Sequence, residues 1–230
     1  MKKRSKTDLI YRTQYQCTGL QVREGEEGKP SRTIAGYAIL FNTPSAPLWE
    51  DGEESAREVI SSGAISRELL DNSDIKFTMF HDRQLILARS NKGQGTLSYD
   101  VDERGVKFEF EAPATTDGDK ALELVRRGDI SGCSFAFTTR YYDKDFVERQ
   151  VVITQDGKKE ITYVVRNVTG VYDFTLAADP AYPDTSVEAR EFSSELREAY
   201  RQTDPEPPID REKINRQVHE MRKAANDKII

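Results

Sequence analysis

The chain has 230 residues, enough for one domain with a real core or for one domain plus an appendage. Charged residues make up 32%, above the roughly 25% of average chains, yet 34 basic and 40 acidic side chains leave a net charge of −6. That balance lacks the basic domain or stripe of a nucleic-acid binder, and no stretch approaches the ~18 apolar residues of a membrane span. The basic start Lys2, Lys3, Arg4 and Lys6 is not followed by the apolar run of a signal peptide. Cys17 and Cys133 are too few for a disulfide scaffold and suggest a reducing compartment, so the expectation is a soluble, cytoplasmic protein.

Residues 1–16 are polar and expected to be a loosely held, flexible start, with a first strand over Cys17–Val22. A second strand is expected over Thr33–Phe41, where the mid-strand Gly36 hints at a bulge or a close backbone approach. Asn42–Glu53, with Pro44 and Pro47, reads as a loop long enough to be functional or mobile. Arg57–Ile60 leads into a short helix with Ile65, Leu69 and Leu70 on its buried side. Ile75–Phe80 alternates as a strand that delivers His81 and Asp82 at its end, and Leu85–Arg89 continues from there.

Leu97–Val101 and Val106–Phe110 flank Asp102-Glu103-Arg104-Gly105, a hairpin signal with Val106, Phe108 and Phe110 facing the core. Asp119–Arg127 reads as a helix, with Asp117 or Asp119 as cap, Leu122 and Val125 on its apolar face, and Gly128 at its C-terminal end. From Ile130 the period becomes two, a second hairpin pairs 147–154 with 160–168, and Gly170–Leu176 is a last strand closed by Asp179-Pro180-Ala181-Tyr182-Pro183. Beyond about Arg190 a charged helical appendage (191–230) contains the Pro205–Pro208 linker and a narrow Ile214, Val218, Met221 and Ala225 stripe. The expected division is therefore 1–16, a 17–190 core domain and the 191–230 appendage, which is expected to dock onto a scaffold or a second copy. The expected fold is a β-rich α+β domain: a closed or nearly closed, mainly antiparallel β-barrel with flanking helices.

Chemistry is narrowed by scarcity. The chain has two histidines, and His219 lies in the charged tail, so an imidazole base would have to be His81. Neither a metal-ligand spacing nor a phosphate-binding glycine loop occurs, and no cofactor is expected. In Ile130-Ser131-Gly132-Cys133-Ser134-Phe135-Ala136-Phe137, strand parity puts Cys133, Phe135 and Phe137 on a core face. Ser134 then stands between the small residues Gly132 and Ala136, on a face where its hydroxyl can be approached, although a serine on the solvent side of a strand is the commoner case. Gly132–Ala136 mimics a nucleophile elbow but lacks the strand-to-helix turn that motif needs. Cys133 is the rival nucleophile, since thiolates are intrinsically better ones, but its parity makes it a small core hydrophobe.

Five segments in order resemble one family: Ile34-Ala35-Gly36-Tyr37-Ala38; Glu58 to Ala64; Phe80-His81-Asp82 with Leu87-Ala88-Arg89; Gly128 to Phe137; and Pro180-Ala181-Tyr182-Pro183. Together, over roughly residues 15 to 190, the chain resembles the prohead maturation proteases of tailed bacteriophages, distant relatives of the herpesvirus assemblins. The resemblance implies a serine endopeptidase that works inside the procapsid in the host cytoplasm. It would cut the scaffolding segment from the major capsid protein, associate with other copies and degrade itself, with no membrane and no specific nucleic acid as partner.

Carried over residue by residue, Ser134 matches the nucleophile and His81 the general base. Asp173, seven residues before Pro180, matches an acidic position where the family usually has Glu. Assemblins use a second histidine as third member, and Asp82 is an alternative orienter of the ring. Ile65 departs from the usual Phe, a packing change. Peptide hydrolysis needs such a set: a hydroxyl deprotonated as it attacks, a base titrating near neutrality, a group fixing the ring tautomer and N–H donors for the oxyanion. Two other readings stand beside it. One is a non-enzymatic β-rich capsid or scaffold-binding module, which does not require His81, Ser134 and Asp173 to converge; the other is a cysteine peptidase using Cys133 with His81, which thiol alkylation would inhibit.

Overall fold

The computed structural model describes residues 11–15, 20–25 and 31–177, and strands dominate these described residues. Cys17, His219, the closing Pro180–Pro183 segment, the Pro205–Pro208 linker and the whole 191–230 appendage lie outside the described residues. In chain order the elements are β1 (Tyr11–Tyr15), β2 (Gln21–Val22), β3 (Thr33–Leu40), β4 (Trp49–Glu50), β5 (Glu54–Ile60), α1 (Arg67–Asp71), β6 (Asp74–Met79) and β7 (Asp82–Asn91). They continue with β8 (Gln94–Gly95), β9 (Leu97–Val101), β10 (Gly105–Glu111), α2 (Thr116–Arg127), β11 (Gly132–Thr138), β12 (Val147–Ile153), β13 (Lys159–Val165) and β14 (Gly170–Ala177).

The two helices among the described residues obey their sequence signals. In α1, Ser66 accepts a hydrogen bond from the Leu69 N–H at 3.1 Å as N-cap and Leu70 is buried, as is Ile65 just before the cap. In α2, Ala121, Leu122 and Val125 face the core, Asp117 and Asp119 sit in the first turn, and Arg126 and Arg127 sit in the last, all favourable to the helix dipole. Gly128 ends the helix with φ 77°, a left-handed conformation that glycine adopts without a Cβ penalty. The cap is Thr115 rather than either aspartate, and its hydroxyl accepts from the Gly118 N–H at 3.2 Å.

The strands form three sheets, ordered β1-β11-β14-β6-β7-β8, β2-β3-β10-β9 and β12-β13-β5-β4. The β-rich, helix-poor expectation holds, but no sheet closes on itself among the described residues. Isolated bridges Phe41↔Ile60 and Pro44↔Val59 instead stitch the chain after β3 onto β5. Chain-adjacent hairpins do form, β9 with β10 and β12 with β13. Two ladders are parallel, however, β5 with β13 and β6 with β14, so distant segments insert between hairpins. Tyr11–Tyr15 also contributes, because β1 pairs antiparallel with β11. The Asn42–Glu53 loop is pinned: Ser45 N–H donates to Glu58 O at 2.8 Å, and Glu58 N–H donates to Ser45 Oγ at 3.0 Å. The buried Glu58 carboxylate in turn accepts from the Tyr141 hydroxyl.

Alternation across the three central strands of the first sheet generates two opposed rows. Phe135, Phe174 and Phe77 lie side by side on β11, β14 and β6, as do Ser134, Thr175 and Thr78 one residue along each strand. The aromatic row is the core. Phe77 is fully buried and meets Phe108 and Phe110 of β10 with ring centroids at 4.6 and 4.5 Å, which clamps the first sheet onto the second. Phe77→Ala is expected to lower stability by about 3–5 kcal/mol through lost transfer energy and the cavity left behind. Urea unfolding would read this as a lower midpoint at unchanged slope. Val152→Ala, on a residue 60% exposed, should stay within about 0.5 kcal/mol of the parent.

Candidate active site

The second row carries the polar chemistry. Ser134, Thr175 and Thr78 are each fully buried, and Asp173 is 7% exposed, an unusual set of groups to remove from water unless each has a partner. Irregularities in the pairing surround them. Between Ala136↔Asp173 and Phe137↔Val171 the register skips Tyr172, so a bulge sits one residue before Asp173. The β6–β7 ladder skips Leu87 beside Thr78 and three more residues before Asp82. Bulges re-aim side chains and end regular pairing, which is why they gather beside functional groups.

His81 arrives on the turn between β6 and β7, a two-residue connection of Phe80 and His81 with Met79 paired to Asp82. Both turn residues have positive φ, 57° for Phe80 and 58° for His81, as a type I′ hairpin requires. Phenylalanine is a costly occupant of that region, and the strain is opposed by backbone bonds. Phe80 N–H donates to Leu176 O at 3.0 Å, and His81 N–H donates to Thr175 Oγ1 at 2.9 Å.

The turn presents the imidazole edge-on between two strands. His81 Nδ1 lies 3.0 Å from Asp173 Oδ1, and Nε2 lies 2.8 Å from Ser134 Oγ. The Asp173 carboxylate can only accept, so Nδ1 carries the proton and donates it. Nε2 is then left as an acceptor for the Ser134 hydroxyl. The three residues picked from the sequence thus converge within hydrogen-bond reach, which the non-enzymatic reading did not require. Asp82 does not take part: it is exposed, and its Oδ1 accepts from the Gln84 N–H at 2.8 Å. Ser134 is not the solvent-facing strand serine that is common elsewhere, since its whole strand is buried.

Sequence reasoning missed Thr78 and Thr175. Thr78 Oγ1 lies 3.1 Å from Asp173 Oδ2 and 2.9 Å from Thr175 Oγ1. Cys133 belongs to the opposite face, in the core cluster with Phe135 and Phe137. Cys133→Ala is therefore expected to keep at least half of the parent's peptidase rate, and iodoacetamide is expected to leave cleavage intact. A loss of cleavage with unchanged circular dichroism would restore the thiol as nucleophile.

Among solved structures the chain is similar to the bacteriophage T4 capsid assembly protease, gp21, at 9% identity and a TM-score of 0.35, over 71% of this chain and 96% of that one. Curated proteins offer no match. The sequence profile of the caudovirus prohead serine proteases matches residues 18–199, well over half the chain, and includes β6, β11 and β14 with the residues just described. This chain belongs to the caudovirus prohead serine protease family.

Proposed function

We propose that this chain is a serine endopeptidase that works inside the phage procapsid, cutting the scaffolding segment from the major capsid protein and processing its own copies. Ser134 is the nucleophile, His81 the general base and acid, and Asp173 the group that orients the ring. The observation that carries the reading is the imidazole bridging a buried carboxylate at 3.0 Å and a serine hydroxyl at 2.8 Å. Membership of a prohead serine protease family supports the compartment and the reaction class.

The chemistry follows from the proton positions. As Ser134 Oγ attacks the scissile carbonyl carbon, its proton passes to His81 Nε2, and the C=O electron pair moves onto oxygen. The imidazolium so formed is stabilised by the Asp173 carboxylate at Nδ1. Collapse of the tetrahedral adduct breaks the C–N bond, and the proton on Nε2 goes to the leaving amine. This leaves an ester on Ser134. Water then enters, gives a proton to Nε2 and attacks the ester; collapse returns that proton to Ser134 Oγ and frees the carboxylate product. The two attacks, by Ser134 and by water, each begin with Nε2 unprotonated, and the two collapses each begin with it protonated; Nδ1–H stays on Asp173 throughout.

The test is co-expression with the major capsid protein gene of the same phage. Capsid protein shortened at one position, mapped by mass spectrometry, is the expected result. Full-length capsid protein beside folded protease would refute the substrate assignment.

A further inference from the structure

The hydrogen bonds around His81 close on themselves. Thr175 Oγ1 accepts the His81 backbone N–H, at 2.9 Å, so its own proton is left to donate. Its hydroxyl neighbour is Thr78 Oγ1, at 2.9 Å. Thr78 in turn has one proton and two neighbours, and the carboxylate of Asp173 has none to give, so the Thr78 proton points at Asp173 Oδ2, 3.1 Å away. Asp173 Oδ1 then receives Nδ1–H of the same histidine at 3.0 Å. The circuit leaves His81 through its main chain and returns through its ring.

We propose that Thr78 and Thr175 are positioning residues of this protease, fixing the Asp173 carboxylate and the strained Phe80–His81 turn as one unit. The proposal rests on the reading of Ser134, His81 and Asp173 given above. Three features favour a role in catalysis over one in folding alone. The two threonines face each other across the β6–β14 ladder, and Thr175 is also opposite Ser134 on β11, so one row of three residues spans base and nucleophile. Both hydroxyls are fully buried, where a half-satisfied network is costly and a complete one is rigid. The circuit also takes up the one carboxylate oxygen that the imidazole does not use. Without it, Asp173 could rotate and Nδ1–H would lose its fixed acceptor.

The test uses the full chain and a capsid-protein fragment spanning the mapped cut. Thr78→Val keeps shape and deletes the hydroxyl. It is expected to lower kcat about ten- to a hundredfold with KM within about twofold of the parent, as the loss of a hydrogen bond to a charged group implies. Thr78→Ser, which restores the hydroxyl, should recover most of the rate. In an Asp173→Ala background Thr78→Val should cost less than about threefold more, because its effect runs through the carboxylate. If Thr78→Val does not fold, Thr175→Val judged against a His81→Ala background carries the same test. Full additivity in the cycle, or a Ser variant as slow as the Val variant, would overturn the proposal while leaving the triad standing. Cleavage that survives Ser134→Ala would overturn both.

Discussion

Ser134→Ala should reduce turnover on order of 10⁴-fold or more while leaving the protein folded, and His81→Ala should cost a similar factor. The first change removes the atom that forms the ester; the second leaves a hydroxyl with no base at 2.8 Å to take its proton. Folding should survive Ser134→Ala because the position lies in a strand whose neighbours on the same face, Gly132 and Ala136, are themselves small. The cost is an imidazole nitrogen without its hydroxyl partner, about 1–3 kcal/mol at most. The double variant should be scarcely slower than either single one, since the two residues act in one step and their losses do not add. Ser131→Ala is the control: that residue is exposed, just before β11, and should remain within twofold of the parent. Single-turnover cleavage of the capsid fragment measures all four. A Ser134→Ala protein that still cuts, with the product verified by mass, would leave the chemistry without its nucleophile.

What the sequence discloses and what it conceals divide along the range of the forces. Local chemistry was legible: Gly128 ends α2, Asp102 turns the β9–β10 hairpin by accepting from the Arg104 and Gly105 N–H groups, and Phe135 alternates with Ser134. The site was narrowed by scarcity, since one histidine outside the tail restricts the choice of base more than any pattern does. The cap of α2 was misplaced because Thr115, Asp117 and Asp119 are equivalent by type. The helix starts where Gly118 can approach the Pro113 carbonyl, a contact that a Cβ would close to 2.0 Å. The start of the chain did carry a strand signal, Tyr11, Thr13 and Tyr15 in alternation, which the polar residues around it obscured.

Long-range pairing was not legible. Nothing in residues 170–177 says that this strand will lie between β11 and β6 rather than beside its hairpin neighbour, yet that insertion brings Asp173 to His81. The Phe80–His81 turn was hidden for a different reason. A type I′ turn announces itself through Asn-Gly or Asp-Gly, and here Phe and His occupy the left-handed positions, Phe against its own preference. Their hydrogen bonds to β14 hold the turn, so it exists only once β14 is in place. The same dependence conceals Thr78 and Thr175, which are unremarkable strand residues until the parallel register sets one against the other. The closed or nearly closed barrel expected from hairpin-linked strands is met in its β-richness, while no sheet closes among the described residues; hairpins fix neighbours and say nothing of which distant strand comes between them.

Asp173→Asn should lower turnover by about 10³- to 10⁴-fold, less than loss of the nucleophile but far more than loss of one hydrogen bond. The amide is nearly the same shape, so the reason lies in donors and acceptors. Asparagine offers one oxygen and one NH2, and the site demands two acceptors: Oδ1 for His81 Nδ1–H and Oδ2 for the Thr78 hydroxyl. If the NH2 faces the ring, Nδ1 must become the acceptor and the proton moves to Nε2, where it faces Ser134 Oγ and cannot be exchanged for the serine proton. If the NH2 faces Thr78, that hydroxyl must accept, and its proton can go only toward Thr175 Oγ1, which already takes the His81 N–H and must then turn its own proton away. The first arrangement blocks the base; the second reverses the Thr78–Thr175 bond while keeping the His81 N–H on Thr175, and still lacks the charge that stabilises the imidazolium. Stability should change little, because a buried carboxylate is replaced by a neutral group with partners on both sides. The measurement is kcat for Asp173→Asn beside Ser134→Ala on the same fragment, with Tm read in parallel. A variant within tenfold of the parent would mean that His81 is oriented without this carboxylate, and Asp173 would lose its place in the mechanism.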